Sequence, residues 1–239
     1  MTTKITVFIF LCFTTAAAAQ NFQLHYDAGK GRNYVTTTFE MFEPDKWGNT
    51  FIFVDFDYNM EKQKHPALAY TEIARCFKLG QSPFSAQLEY NGGLFAIPGE
   101  GGYSVLAINN AYLGGLDYGW HSADFTKFFN FKALFKHISG KNTTSFQLTG
   151  VWSLDFFDKK VSLNGFADFW REDNINYSKP NGESLASPSE TRFVFLSEPQ
   201  IWYNISPHLS AGSEVEIATN FGSIEGLVIS PTVGVKWTF

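Results

Sequence analysis

The stretch Leu227-Val228-Ile229-Ser230-Pro231-Thr232-Val233-Gly234-Val235-Lys236-Trp237-Thr238-Phe239 ends the chain and alternates without a break. Leu227, Ile229, Val233, Val235, Trp237 and Phe239 share one register, with Pro231 among them. Val228, Ser230, Thr232, Gly234, Lys236 and Thr238 share the other. Neighbours on a strand point to opposite faces, so the pattern predicts a ribbon with an apolar side and a mostly polar side. One such strand also suits the edge of a soluble sheet. The fold turns on whether the pattern recurs.

It does. Phe22, Leu24 and Tyr26 oppose Gln23, His25 and Asp27. Val35, Thr37, Phe39 and Met41 oppose Thr36, Thr38 and Glu40. Ile52, Val54, Phe56 and Tyr58 oppose Phe51, Phe53, Asp55 and Asp57. A charge in hydrocarbon costs a few kcal/mol, so Asp55 and Asp57 require water or a polar lumen on their side. Phe84 to Asn91, Phe129 to Lys136, Phe146 to Asp155, Val161 to Trp170, Arg192 to Asn204 and Leu209 to Ile217 repeat the alternation. Within Ala69 to Leu79, Glu72 and Arg75 fall on opposite faces. A bulge near Ala74 is expected to bring Arg75 inward, the alternative being an arginine that snorkels at a membrane edge. The facing of Tyr103 to Trp120 stays open.

These segments number about twelve, an even count, and their links alternate in length, although two on the inner side, Glu43 to Asn49 and His121 to Thr126, are longer than that pattern asks. Asn59 to Pro66, Gly92 to Gly102 and Glu172 to Glu190 read as long loops; those at Gly80, Asp158 and Ser206 read as tight turns. The expected fold is therefore all-β: a closed transmembrane antiparallel β-barrel of about 12 strands, with short periplasmic turns and longer extracellular loops. Closure leaves no unpaired edge, which a lipid environment demands. A soluble β-sandwich also alternates. Aromatic residues make up 18% of the chain, 26 of them Phe, more than such a sandwich usually carries.

The chain start has Lys4, an apolar run from Ile5 to Phe13 and Ala16-Ala17-Ala18-Ala19. This predicts a secretory signal peptide over 1–19 and a barrel over 20–239. Cys76 is then the sole mature cysteine, which excludes an internal disulfide. No later run approaches the ~20 apolar residues of a spanning helix. The net charge of −5 argues against nucleic acid as a partner. The histidines lie singly, without metal-ligand spacing, and no cofactor is implied.

Phe53-Val54-Asp55-Phe56-Asp57-Tyr58, Ile108-Asn109-Asn110-Ala111-Tyr112, Asn164-Gly165-Phe166-Ala167-Asp168-Phe169-Trp170 and Ser197-Glu198-Pro199-Gln200-Ile201-Trp202-Tyr203-Asn204 resemble the Tsx family of nucleoside-specific channel-forming proteins. The resemblance runs patchily along nearly all of the mature chain, as in a related branch. It implies a monomeric twelve-stranded barrel of the bacterial outer membrane with a narrow lumen that passes nucleosides by diffusion. The terminal Trp237-Thr238-Phe239 resembles the closing strand that the barrel-assembly machinery reads.

By register, Phe51, Phe53, Phe166, Trp170 and Trp202 are candidate inward rings. Asp55, Asp57, Glu89, Asp168, Arg192, Glu198, Gln200 and Asn204 are candidate inward polar groups. Rings that stack a base and carboxylates or amides that bind ribose hydroxyls suit a small solute, with outer-membrane lipid outside. The same residues also fit a structural or adhesive barrel whose rings plug the lumen. An outer-membrane lipid hydrolase is the remaining alternative. Its Ser and His would be His121 and Ser122, adjacent residues in an inner link, and an enzyme is not expected.

Overall fold

The computed structural model describes residues 19–29, 32–59, 65–99, 102–142 and 144–239; the expected signal peptide lies outside them, save Ala19. The described chain is built of antiparallel strands in sequence order: β1 Ala19–Asp27, β2 Tyr34–Pro44, β3 Gly48–Asn59, β4 His65–Lys78, β5 Phe84–Gly99, β6 Gly102–His121, β7 Lys127–Ile138, β8 Ser145–Phe156, β9 Val161–Ser178, β10 Ser184–Ser197, β11 Gln200–Asn204, β12 Leu209–Thr219 and β13 Leu227–Thr238. Consecutive strands pair, save β10 and β11, and β1 closes on β13 through Phe22↔Trp237 and Tyr26↔Val233. No helix among the described residues is long and apolar enough to cross a membrane.

The thirteenth strand arises from an interruption. β10 and β11 lie end to end, both between β9 and β12, so the barrel has twelve staves. The gap is Glu198-Pro199. Proline offers no N–H to a ladder and restricts the residue before it. The gap stays closed because Glu198 N donates to Phe166 O (3.2 Å) and Pro199 O accepts from Val215 N (3.0 Å). Facing it, Gly165 has φ 153°, and a Cβ there would meet Pro199 and the Trp152 ring. Glycine is the residue that fits.

The alternation sorts the two faces as expected. Phe22, Leu24, Tyr26, Val233, Val235 and Trp237 are exposed outward; Gln23, His25, Asp27, Ser230, Thr232 and Lys236 are buried inward. Exposed rings and aliphatic chains continue round the outside, from Leu88 and Tyr112 to Phe131, Phe135 and Ile201. Such a surface is stable against hydrocarbon, not water.

Two expectations need correction, and one facing left open is answered. The β3–β4 register runs unbroken from Gly48↔Phe77 to Asp57↔Leu68, so no bulge lies near Ala74. Arg75 faces outward with Ile73 and Phe77. It reaches back to the β2–β3 turn, where Nη2 lies 2.8 Å from Asp45 Oδ2 and Nη1 donates to Thr50 Oγ1 at 3.0 Å. Second, the presumed loops at Gly92 and Glu172 are strand. β5 and β6 continue to Gly99 and Gly102, while β9 and β10 continue to Ser178 and Ser184. The strand left open, β6, has two facings. Ala111, Leu113 and Asp117 point inward, and an extra residue between Ile108 and Ala111, opposite Asn91/Gly93, reverses the parity beyond.

Candidate functional site

The inward faces make a lumen packed at two levels, each centred on a tryptophan. Trp202 of β11 has no exposed surface. It is paired with Gly212 on β12, which is paired in turn with Gly234 on β13. A Cβ on Gly212 would come within 2.6 Å of the indole, so the missing side chain is the space the ring fills. Lys236 Nζ lies 4.4 Å from the ring centre, and His25 meets its edge at 5.6 Å. The indole N–H donates to Gln200 Oε1 (2.8 Å), and the Gln200 amide donates to Glu214 (2.7 Å). The His25 ring nitrogens lie 2.9 Å from Thr232 Oγ1 and 2.8 Å from Gln23 Oε1.

Toward the other end Trp170 of β9 repeats the arrangement. Lys136 Nζ lies 4.3 Å from its ring centre and donates to Gln147 Oε1 (2.7 Å); the Trp170 N–H donates to Glu172 (2.9 Å). An ammonium over an indole face contributes ~0.5–2 kcal/mol, more when desolvated. Each pair therefore fixes a ring that would otherwise be free to swing.

Between the two levels β9 presents Asp168, Phe166 and Asn164 inward, with Glu198 and Glu214 beside them. Asp55, Glu72 and Glu89 come from β3, β4 and β5. These carboxyl groups act on one another through space: Glu72 with Glu89 and Asp168, Glu198 with Glu214, Asp55 and Glu72. Lys136 and Lys132 are the cations acting on Asp168. Tyr70 donates to Glu72 (2.8 Å), Gln87 to Glu89 (2.5 Å) and Thr149 to Asp168. The Phe53 ring meets Tyr70 edge-on at 6.5 Å. Asp55 Oδ1 and Asn91 Oδ1 are buried acceptors with no partner among the described residues. Buried acceptors of this kind are rare and suit a ligand or water that brings hydrogens.

Of the sequence-predicted residues, Phe51, Phe53, Asp55, Asp57, Glu89, Phe166, Asp168, Trp170, Gln200 and Trp202 hold inward positions on the strands that register assigned them, and Glu198 lies in the gap between β10 and β11. Asp57 accepts a hydrogen bond from Thr36 (2.6 Å). Asn204 is tied at the inner mouth to Lys159 O (2.6 Å), Ser162 Oγ (3.0 Å) and Ser210 Oγ (2.7 Å). It borders a recess of about 510 Å³ lined also by Asp155, Lys160 and Lys236. Arg192 is exposed on β10, at the register shift between the pairs Thr191↔Asn174 and Phe193↔Arg171. Sequence reasoning passed over Tyr70, Glu72, Lys136, Glu214 and Lys236 as site residues. Glu214 and Lys236 carried a signal, a charge in the inward register. Glu72 was hidden by the doubt over Arg75.

Ser122 Oγ donates to Asp124 (2.5 Å), while the His121 ring bonds Ser122 O (2.9 Å) and stacks on Phe125. The hydroxyl hydrogen is thus directed at a carboxylate, not at the imidazole. At the outer mouth Arg32, on the β1–β2 link, bridges Asp27 (2.8 Å) and Glu216 (2.6 Å). Burial opposes its charge, but Glu216 and Asp27 outweigh that, and its pKa stands above the ordinary value.

A family profile described as "Domain of unknown function (DUF5020)" matches residues 19–239. No curated protein sequence matches the chain. Among solved structures, the NanC porin superposes with a TM-score of 0.55 at 10% identity, over 92% of this chain and 100% of that one. The KdgM porin gives 0.49 at 13% identity over 92% and 99%. Omp33 of Acinetobacter baumannii gives 0.42 at 12% identity over 93% and 97%. With its closed ladder, lipid-facing exterior and porin-like fold, the chain is a β-barrel of the bacterial outer membrane, and it belongs to the DUF5020 family.

Proposed function

We propose that this barrel is a passive diffusion channel for small hydrophilic solutes, acting as a monomer, with nucleosides as its cargo. The observation that carries the reading is the belt of inward carboxyl groups from Asp55 to Glu214, flanked by rings and holding two acceptors without partners. A structural barrel has no need of so many carboxyl groups within an enclosed space, where each costs desolvation. A nucleoside offers a flat base for ring contacts, ~1–3 kcal/mol per base. Its hydroxyl and amino hydrogens answer the free acceptors. Several weak sites in a row favour passage over trapping. The resemblance to the Tsx family supports the choice of nucleosides.

Liposomes holding the purified mature protein test this. Swelling in isotonic uridine or cytidine should exceed swelling in an uncharged disaccharide. Equal rates for all would leave a general pore and remove nucleoside preference. The complete burial of Trp202 favours a second reading, a barrel plugged at its inner level. Swelling with no solute of any size would establish that reading and end the channel.

A further inference from the structure

The β12–β13 link does not stand away from the barrel. Residues 220–226 leave β12, pass β10 and dock on β9. Tyr177 N donates to Ser223 O (2.9 Å), Glu225 N donates to Ser178 O (2.8 Å), and Ser178 and Ile224 form a parallel bridge. The Asn174 amide donates to Asn220 O (2.8 Å), and the Asn220 amide donates to Phe193 O (3.3 Å). The crossing is made on the lumen side. Phe221 meets the inward Trp170 edge-on at 6.0 Å, and Phe221 and Ile224 enclose a recess of about 200 Å³ with the inward Glu216 and Ala218.

Inward residues at the outer end are sealed accordingly. Asn176 has no exposed surface, and Ala218 keeps 3%. Asn220, Gly222, Ser223 and Gly226 all have φ between 56° and 90°. Two of the four are not glycine, and left-handed backbone of that sort costs energy unless its surroundings hold it. The segment is thus a strained strap held by a few hydrogen bonds and one ring contact, over a cavity and not over a filled core.

The geometry points to residues 220–226 as a hinged lid on the outer mouth, released when a ring-bearing solute takes the place of Phe221 on Trp170. The lid rests on the channel reading for its purpose, but not for its existence. Trp170 is already pinned by Lys136 and Glu172, so it stays in place as a receiving surface while Phe221 leaves. Asn220 and Gly226 close the neck of the strap on each other, Asn220 N to Gly226 O at 3.1 Å and Gly226 N to Asn220 Oδ1 at 2.9 Å. The neck can remain closed while the tip, residues 221–225, lifts.

Two measurements test the lid, both in a Cys76→Ser background, which leaves residues 20–239 without a thiol. In the first, Ala218→Cys reports from beneath the strap. A small sulfonated thiol reagent added from outside should label it slowly, and Phe221→Ala should speed labelling at least tenfold. An unchanged rate overturns the lid, whether or not the barrel conducts. In the second, Ser178→Cys with Ile224→Cys ties the strap down, since bridge partners lie within disulfide reach. Oxidation of the folded barrel should cut planar-bilayer conductance at least fivefold, and reductant should restore it. Equal conductance of both forms overturns the gate. Faster labelling of Phe221→Ala with no conductance in any form upholds the lid and ends the channel reading alone.

Discussion

Arg75 shows how one side chain settles where a membrane face stops. Its register puts it among Ile73 and Phe77 on the lipid side, where a charge is costly. Its length resolves the conflict: the stem runs over Phe77, with the guanidinium 5.2 Å from the ring centre, and the head reaches Asp45 in the turn. A sequence pattern records which face a residue takes, but not how far it can lean along that face, so a bulge was the natural expectation. The consequence falls on Asp45. The Arg75 hydrogen bond, helped by the Trp47 and Gly48 amides, holds its pKa down to about 2 from 3.8. A depressed carboxyl contributes stability that is whole above about 3.8 and is lost as pH falls toward about 2. Replacing Arg75→Met should move the Asp45 titration up toward the ordinary value, read from its side-chain carbon shift between pH 2 and 5. An unmoved titration would mean that the turn amides alone hold it. The Trp202 level teaches the same lesson about legibility. Trp202 was readable as inward, but the room made for it by Gly212 and Gly234 comes from two other strands. No spacing along the chain connects those three positions.

At the scale of elements, the spanning parts of the strands were legible because lipid on one side and a lumen on the other impose a period of two. Past the membrane that constraint lapses. Residues 172–178 and 184–190 carry Asn, Ser, Glu and Pro, and still pair Asn176 with Ser189 and Glu190 with Ile175. Backbone hydrogen bonds keep the ladder going where side chains no longer signal it, so two strands read as a loop. The strap 220–226 was illegible for the related reason that many of its partners are backbone groups, of Tyr177 and Ser178 on β9 and of Phe193 on β10. β13 is the opposite case, legible throughout. Its last residue, Phe239, is exposed, and its N–H donates to Gln20 O at 3.1 Å. A ring this exposed adds little to folded stability, and a role in assembly is the proposal to test. Phe239→Ala should lower the amount of barrel in the outer membrane severalfold, measured by heat-shifted mobility on gels. Refolding of the same variant into detergent micelles should proceed with an unchanged urea midpoint. A midpoint lowered in step with the cellular yield would return Phe239 to a purely structural role.

Over the whole molecule the chain keeps its charges in two places, the water-facing ends and the enclosed interior, and the interior set is unbalanced. Asp55, Asp57, Glu72, Glu89, Asp168, Glu198 and Glu214 stand inward, whereas Lys132, Lys136 and Lys236 are the lysines at these levels. A low-dielectric wall focuses such a field along the axis, which draws cations and repels anions. Arg192, exposed on β10, serves as the control. In a tenfold KCl gradient the reversal potential should mark a cation-preferring path. Asp55→Asn with Glu72→Gln should lower the cation-to-anion permeability ratio by about twofold or more, while Arg192→Gln leaves it in place. The contrast should be sharp near 0.1 M salt, where the screening length is about 10 Å, and should fade near 1 M, where it is about 3 Å. A ratio that ignores the two lumen substitutions would show that ions bypass the belt, and the solute path drawn through these carboxylates would have to be abandoned.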